Sequence, residues 1–261
     1  MEWIYLSPHF DDVALSCGGL VWEQTHAGQQ VSIWTICAGD TPEEPLTPFA
    51  AALHDRWQTG QEAARQRRAE DVAACERLGA AFHHFSLPDC IYRRIPGVVP
   101  GTDFHLYVSE ESLFGPIHPA ETGLIQALSA ELEQALPEGV ELVSPLALGG
   151  HVDHRLVFAA ARLLKRPLWY YADYPYSRQD ERLLDQLQQA GWKPFLFPVS
   201  ESGRQAWVQS VAAYASQIST FWPDLTAMQA DIYAYCQKMG DGACGVRLWR
   251  PPTSGFADKS V

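Results

Sequence analysis

Short apolar runs alternate with amphipathic stretches along most of the chain. Residues 3–7 (WIYLS) and 31–37 (VSIWTIC) are runs of apolar, aromatic and β-branched residues, typical of buried strands. Between them, residues 13–28 carry apolar side chains at helical spacing and end at a glycine. A strand, a helix and a second strand in this order predict a βαβ unit, with parallel strands and a right-handed crossover.

The same alternation continues to residue 220. Residues 40–49 are rich in proline, glutamate and threonine and predict a loop, whereas residues 88–119 have no clear period and predict a functional lid or a small subdomain. The whole pattern predicts an α/β fold: a single Rossmann-like domain with a mostly parallel sheet flanked by helices, over residues 1–250, and a loose tail at 251–261. The further predicted strands are residues 82–87, 141–145, 168–172 and 195–199, and the further predicted helices are residues 58–78, 121–136, 152–164, 178–190 and 204–220.

Composition limits the classes of molecule that we expect this protein to bind. The formal net charge of −12, from 31 acidic and 19 basic residues, disfavours nucleic acid and anionic membrane surfaces as partners. No stretch approaches the about 20 apolar residues of a membrane helix, and the N-terminus lacks the features of a secretory signal, so we expect a cytoplasmic protein.

The six cysteines form no CxxC pair, and we expect buried free thiols. The oligomeric state stays open, with a homo-oligomer among the alternatives.

Two clusters of polar residues carry the chemistry. His9, Asp11 and Asp12 follow the first predicted strand, and His151, Asp153 and His154 follow the strand at residues 141–145. In open α/β sheets, sites gather at the carboxyl ends of strands. Imidazole and carboxylate groups are ligands that zinc accepts, and a catalytic zinc ion commonly has three protein ligands and one open position.

Each cluster has a simpler explanation when it is taken alone. An aspartate at the start of a helix is favoured as a cap or as a partner of the helix dipole, and short motifs give many false matches. The occurrence of both clusters directly after strands of one parallel sheet favours a metal site. The arginine run at residues 65–68 is most simply explained as the solvated face of a helix.

The two clusters also carry a family resemblance. SPHFDDVALSCGG at residues 7–19 and GGHVDHR at residues 149–155 resemble the two motifs of the PIG-L/LmbE family of zinc-dependent de-N-acetylases. RRAE at residues 67–70 and YASQ at residues 214–217 resemble further family segments more loosely. The resemblance implies a zinc-dependent hydrolase that removes an N-acetyl or small N-acyl group from an amino sugar or glycoconjugate.

The resemblance also implies a role for each matching residue. Zinc would be bound by His9, Asp12 and His154, with another divalent ion such as Fe²⁺ as an alternative. Asp11 would be the general base acting on a zinc-bound water, and His151 would stabilise or protonate the tetrahedral intermediate, with Asp153 orienting it. Arg67 and Asp89 match family positions near the substrate pocket. Gly149 stands where some family members have a tyrosine that helps to hold the oxyanion.

Two other functions remain open from the residues alone. A metal-dependent amidase acting on a non-sugar acylated natural product would need the same site. A metal-free binding module could keep the fold without the chemistry, and metal analysis would distinguish it from an enzyme.

Overall fold

A computed structural model describes residues 1–95, 104–179, 182–240 and 242–252 of the chain. Its strands are β1 (Glu2–Ser7), β2 (Gln30–Thr35), β3 (Ala81–His84), β4 (Glu141–Pro145), β5 (Leu168–Tyr171), β6 (Lys193–Pro198) and β7 (Gly245–Arg250). Its α-helices are α1 (Asp12–His26), α2 (Pro48–Trp57), α3 (Ala63–Leu78), α4 (Glu110–Leu113), α5 (Thr122–Ala135), α6 (Val152–Leu163), α7 (Tyr176–Gln179), α8 (Arg182–Gln189), α9 (Glu201–Val211), α10 (Ala215–Phe221) and α11 (Leu225–Met239).

The strands form one sheet in the order β3-β2-β1-β4-β5-β7-β6. The first five strands in this order pair in parallel, and β7 is antiparallel to both of its neighbours. β1 lies between β2 and β4, with Tyr5 opposite Ile33 of β2 and opposite Val143 of β4. The predicted fold class, a single α/β domain with a mostly parallel sheet, is confirmed. The carboxyl ends of β1 and β4 therefore lie side by side.

Helices cover both faces of the sheet. Helices α1, α3 and α9 pack together, and α5 packs on α6. The connections from β1 to β2 and from β4 to β5 run in opposite directions along the sheet. Because such crossovers are right-handed, the two groups of helices lie on opposite faces. A strand covered on both sides must be apolar throughout, which explains why Ile4, Tyr5 and Leu6 of β1 are almost completely buried.

Helix α1 lies unusually close to α9. Gly18 of α1 faces Trp207, which is fully buried, and the indole Nε1 of Trp207 donates a hydrogen bond of 2.7 Å to the carbonyl of Ala14. Helix α1 begins at Asp12, which belongs to the first polar cluster. The packing of α1 on α9 therefore also fixes the orientation of the turn between β1 and α1 that carries this cluster.

The structure contains elements that the sequence pattern did not predict. Helix α2 begins at the end of the predicted loop, and helix α11 and strand β7 follow the last predicted helix. The sequence pattern did not predict β7 because its apolar residues alternate over only six positions, GVRLWR, close to the predicted tail. It lies between β5 and β6 and turns the edge of the sheet antiparallel.

Several predicted helices are shorter or interrupted. The helix predicted at residues 58–78 begins at Ala63, after a short 3₁₀ turn, and the one predicted at residues 204–220 is divided into α9 and α10. The break falls near Tyr214, whose hydroxyl donates a hydrogen bond of 2.7 Å to Asp71 of α3. The helix predicted at 178–190 corresponds to α7 and α8, and its residues 180 and 181 lie outside the described residues. The predicted tail lies outside them from residue 253 onward.

One cysteine pair differs from the expectation of free thiols. Cys236, in the last turn of α11, and Cys244, just before β7, form a disulfide with Cα atoms 4.8 Å apart. The tight turn between α11 and β7 brings the two residues together, which sequence spacing alone did not reveal. Cys17, Cys37, Cys75 and Cys90 are free and buried, as predicted.

None of the described helices is long and apolar enough to cross a membrane.

The close approach of α1 to α9 gives a stability prediction. A Cβ atom at Gly18 would lie 2.6 Å from Cδ1 of the buried Trp207, whereas a Cβ at Gly123, in α5, would meet nothing within 4 Å. We expect Gly18→Ala to lower the free energy of unfolding by about 1–3 kcal/mol through overpacking. The matched control Gly123→Ala should leave it unchanged or raise it by up to about 1 kcal/mol. Urea unfolding measures both, and equal effects would contradict the packing argument.

Candidate active site

The first polar cluster lies in the turn between β1 and α1. The hydroxyl of Ser7 donates a hydrogen bond of 2.6 Å to the carbonyl of His9 and accepts one of 3.2 Å from the backbone N–H of Val13. The backbone N–H of His9 donates to Oδ2 of Asp12 at 2.7 Å. These bonds close the turn locally, so the His9 and Asp12 side chains point to the same side, at the carboxyl edge of the sheet.

The second cluster lies at the start of α6. His151 is the residue that caps the helix, and its Nδ1 accepts a hydrogen bond of 3.3 Å from the backbone N–H of Asp153. His154 is in the first turn and is only 1% exposed. Because β1 and β4 are parallel neighbours, this turn lies directly beside the first cluster.

The structure brings the predicted metal ligands together. Nδ1 of His9 lies 3.3 Å from Oδ2 of Asp12, and Nε2 of His154 lies 3.3 Å from Oδ1 of the same carboxylate. His151 joins this group, since one ring nitrogen each of His9, His151 and His154 lie within 4.8 Å of one another. The resemblance implied that His151 stabilises or protonates the tetrahedral intermediate, and the geometry makes it a fourth candidate ligand as well.

The environment of His154 supports a metal-binding role. Its Nδ1 is 2.6 Å from Oδ1 of Asp173, while its Nε2 is buried and has no hydrogen-bond partner among the described residues. A metal-binding imidazole commonly has this arrangement, with one nitrogen held by a carboxylate and the other free for the ion. The donor set of imidazoles and a carboxylate therefore fits zinc or a similar divalent ion.

Asp173 was not singled out from the sequence. It follows β5 within two residues, at the same sheet edge, and its Oδ2 also accepts a hydrogen bond of 2.9 Å from the backbone N–H of Leu148. The rule that polar residues after buried parallel strands form sites would have identified it.

The Asp153 carboxylate is hydrogen-bonded to His9. Its Oδ2 is 2.9 Å from Nε2 of His9, whereas the hydrogen bond between Asp153 and His151 runs from the backbone N–H of Asp153. This corrects the expectation that Asp153 orients His151. The reason is positional: Asp153 occupies the first turn of α6, which places its side chain toward the turn after β1.

The two predicted substrate-pocket residues lie beside the cluster. Arg67 contacts Oδ1 of Asp11 at 3.5 Å and Oδ2 of Asp89 at 3.6 Å. Its guanidinium also lies over the ring of Trp57, 4.9 Å from the ring centroid. Arg67 is buried, so the interpretation of the whole arginine run as a solvated face is wrong at this position, although Arg65 is exposed. The Nε of Arg67 has no hydrogen-bond partner among the described residues.

Aromatic side chains line the other side of the cluster. Phe114 is 43% exposed and meets the ring of His151 edge-on, with centroids 5.5 Å apart, and Tyr176 meets His154 in the same way at 5.5 Å. Gly149 adopts a φ of +87°, and a Cβ there would lie 2.5 Å from Cβ of Tyr176. Tyr176 therefore occupies the space beside Gly149 that a larger residue would need.

Burial and neighbouring charges shift the pKa values of the cluster. Burial raises the pKa of Asp11, and the nearby Arg67 charge only partly opposes this. For Asp12, the electrostatic attraction of the neighbouring His154 and His9 outweighs burial and lowers the pKa. Burial and the positive charge of His9 hold the pKa of His151 well below its usual value. The adjacent carboxylates thus differ, Asp11 being the stronger base and Asp12 the more firmly ionised.

Comparisons with known proteins identify the family of the chain. Residues 4–164 match the PIG-L family, described as GlcNAc-PI de-N-acetylase, and the chain belongs to this family. It is 31% identical over 220 residues to the 2'-N-acetylparomamine deacetylase of Niallia circulans, covering 73% of this chain and 71% of that protein. The deacetylase of the same name from Streptomyces fradiae is 28% identical over 184 residues, which is 67% of this chain and 58% of that protein.

A solved structure shows the same fold. The zinc-inhibited form of teicoplanin deacetylase Orf2 superposes with a TM-score of 0.77 and 23% sequence identity, covering 97% of this chain and 100% of that chain. The family model and the 31% identical relative confirm the resemblance to the PIG-L/LmbE family, and these relatives are deacetylases.

The pKa of His154 gives a testable pH dependence. Burial opposes protonation, but the interactions with Asp12 and Asp173 outweigh it and raise the pKa from 6.5 to about 9. A group whose pKa is higher in the folded state stabilises the fold fully below its unfolded pKa, and this contribution disappears as the pH rises through the folded pKa. For chelator-treated protein, we expect the free energy of unfolding to fall between pH 6.5 and 9, by roughly 3 kcal/mol from His154.

Urea unfolding at both pH values measures this decrease. The variant His154→Gln lacks the titrating group and should show a correspondingly smaller decrease. An equal decrease in the wild type and in His154→Gln would contradict the assignment.

Proposed function

We propose that this protein is a zinc-dependent hydrolase that removes an N-acetyl or small N-acyl group from an amino sugar or glycoconjugate. The observation that carries the proposal is the convergence of His9, Asp12 and His154 on one point, where the buried Nε2 of His154 has no hydrogen bond to any residue that the structure describes. Family membership and the deacetylase homologues support the reaction class.

His9, Asp12 and His154 would hold the zinc ion, which as a Lewis acid would polarise the amide carbonyl and make water more acidic. The Asp11 carboxylate has the role of general base. Its raised pKa brings it closer to the working pH, where a base both accepts a proton from the attacking water and releases it again. Arg67 holds this carboxylate from the side at 3.5 Å and limits its rotation.

His151 has the role of proton donor to the departing amine. Its lowered pKa means that the ring is neutral before the reaction, so the proton that it passes to the amine is the one released by the attacking water, and the ring gives this proton up readily. His151 also lies where it meets the ring of Phe114. Phe114 is 43% exposed and offers an apolar surface on which one face of a sugar ring can pack beside the reacting amide.

The variant Asp11→Asn tests the assignment of the base. It keeps the size of the side chain but cannot accept the proton, so we expect kcat to fall by at least about 100-fold. Zinc content, measured by elemental analysis, should stay near that of the wild type because Asp11 is not among the proposed ligands. Asp185→Asn, at an exposed site on α8, is the matched control and should retain full activity. Full activity of Asp11→Asn would disprove the role of Asp11.

A substrate panel tests the function itself. We expect release of a free amine from N-acetylated amino sugars, including 2'-N-acetylparomamine, and loss of this activity in a chelator with recovery on zinc addition. Recovery with Fe²⁺ alone would identify a different native metal. Turnover only of acylated compounds without a sugar would favour the amidase. Absence of metal binding together with absence of turnover would favour a binding module.

A further inference from the structure

Arg93 is a buried cation next to the metal cluster, and neither sequence motif contains it. It follows the short 3₁₀ turn Cys90–Tyr92 and is only 6% exposed. Its Nη1 donates a hydrogen bond of 2.5 Å to Oδ1 of Asp153, and its Nε donates one of 2.5 Å to Oε1 of Glu121. Its Nη2 donates to Oε2 of Glu121 at 3.3 Å. The guanidinium thus bridges two buried carboxylates.

Asp153 transmits this contact to His9. With Oδ1 held by Arg93, the second oxygen, Oδ2, lies 2.9 Å from Nε2 of His9 and accepts a hydrogen bond of 3.1 Å from the backbone N–H of Cys90. Contacts on both oxygens fix the plane of the carboxylate. Nε2 of His9 then carries the proton, and Nδ1 of the same ring is left facing Asp12 at 3.3 Å.

Glu121 is itself anchored on its far side. The hydroxyl of Tyr107 donates a hydrogen bond of 2.6 Å to Oε2 of Glu121 and accepts one of 3.0 Å from the backbone N–H of His118. The ring of Tyr107 also lies beside the guanidinium, with Cζ of Arg93 5.5 Å from the ring centroid. The Arg93 side chain is therefore held in one position before any ligand binds.

We propose that Arg93, anchored by Glu121, is a positioning residue that locks Asp153 against Nε2 of His9 and so presents Nδ1 of His9 to the metal. The inference rests on the metal-binding part of the proposed function. A planar guanidinium suits this position because its several N–H groups have fixed directions and reach two carboxylates at once. A lysine ammonium could supply the charge but could not reproduce both sets of directed bonds.

Metal affinity tests the proposal without any substrate. Chelator-treated wild type, Arg93→Met and Arg93→Lys are titrated with Zn²⁺ and with Co²⁺ against a chelating dye. Loss of an outer partner of a metal-binding histidine typically weakens binding by about 10- to 100-fold. We expect a loss in this range for Arg93→Met and a smaller loss for Arg93→Lys. The visible absorption spectrum of the Co²⁺ form should change in Arg93→Met, because a misplaced His9 alters the ligand geometry.

Arg94 provides the matched control. It is the next residue, and it pairs with the exposed Glu44 at 3.1 Å. Arg94→Met should leave both the metal affinity and the Co²⁺ spectrum unchanged. The double variant Arg93→Met/Asp153→Asn should bind metal no more weakly than Asp153→Asn alone, because Arg93 acts through Asp153. Independent, multiplying losses would overturn this route.

The outcomes separate the inference from the proposed function. A folded Arg93→Met protein, checked by circular dichroism, with wild-type metal affinity and spectrum would overturn the role of Arg93 and leave the metal site intact. A wild-type protein that binds no metal would overturn the proposed function instead. If Arg93→Met does not fold, Glu121→Gln replaces it, since this change loosens the anchor and keeps Arg93. A measurable loss of affinity in Glu121→Gln supports the proposal, and unchanged affinity overturns it.

Discussion

The parallel pairing of β1 with β4 is the constraint on which the candidate site depends. Their register, with Tyr5 opposite Val143, brings the carboxyl ends of the two strands to the same edge of the sheet. The turn after each strand carries half of the polar cluster, and neither half contains a complete ligand set. Hydrogen bonds close each turn locally, but only the sheet sets the distance between His9 and His154. The packing that holds α1 and α6 on opposite faces of the sheet therefore also maintains the geometry of the candidate metal site.

The second constraint is the compensation of buried charge. A carboxylate removed from water is stable only when it is paired or hydrogen-bonded, and the site buries several of them. Arg67 forms an ion pair with Asp11, and Arg93 forms one with Asp153. Each motif therefore contains an aspartate whose charge is neutralised by an arginine from outside the motif. The histidines act as partners for the remaining carboxylates. A bound divalent cation would add the positive charge that this acidic centre favours.

The irregular segment between β3 and α5 contributes both to the packing of the domain and to the candidate active site. Part of it packs into a second, smaller apolar cluster that includes Ile91, Tyr107 and Leu113, together with residues of α2. This packing gives Arg93 and Glu121 fixed positions beside the metal cluster, and it places Phe114 against His151. The expectation that residues 88–119 form a lid or small subdomain stays a prediction, and residues 96–103 lie outside the described part of the chain.

The sequence by itself determined the parallel α/β fold and the two His/Asp clusters, because periodicity, strand-end position and residue type are local properties. The family resemblance of the two motifs implied His9, Asp12 and His154 as the ligand set, whereas the residues alone left open whether His151 or His154 would complete it. The sequence did not determine which partner each side chain meets. Asp153 contacts His9, Asp173 contacts His154, and the partners of both lie far away in the sequence. Such pairings depend on strand order and on the packing of irregular segments, which only the tertiary structure decides.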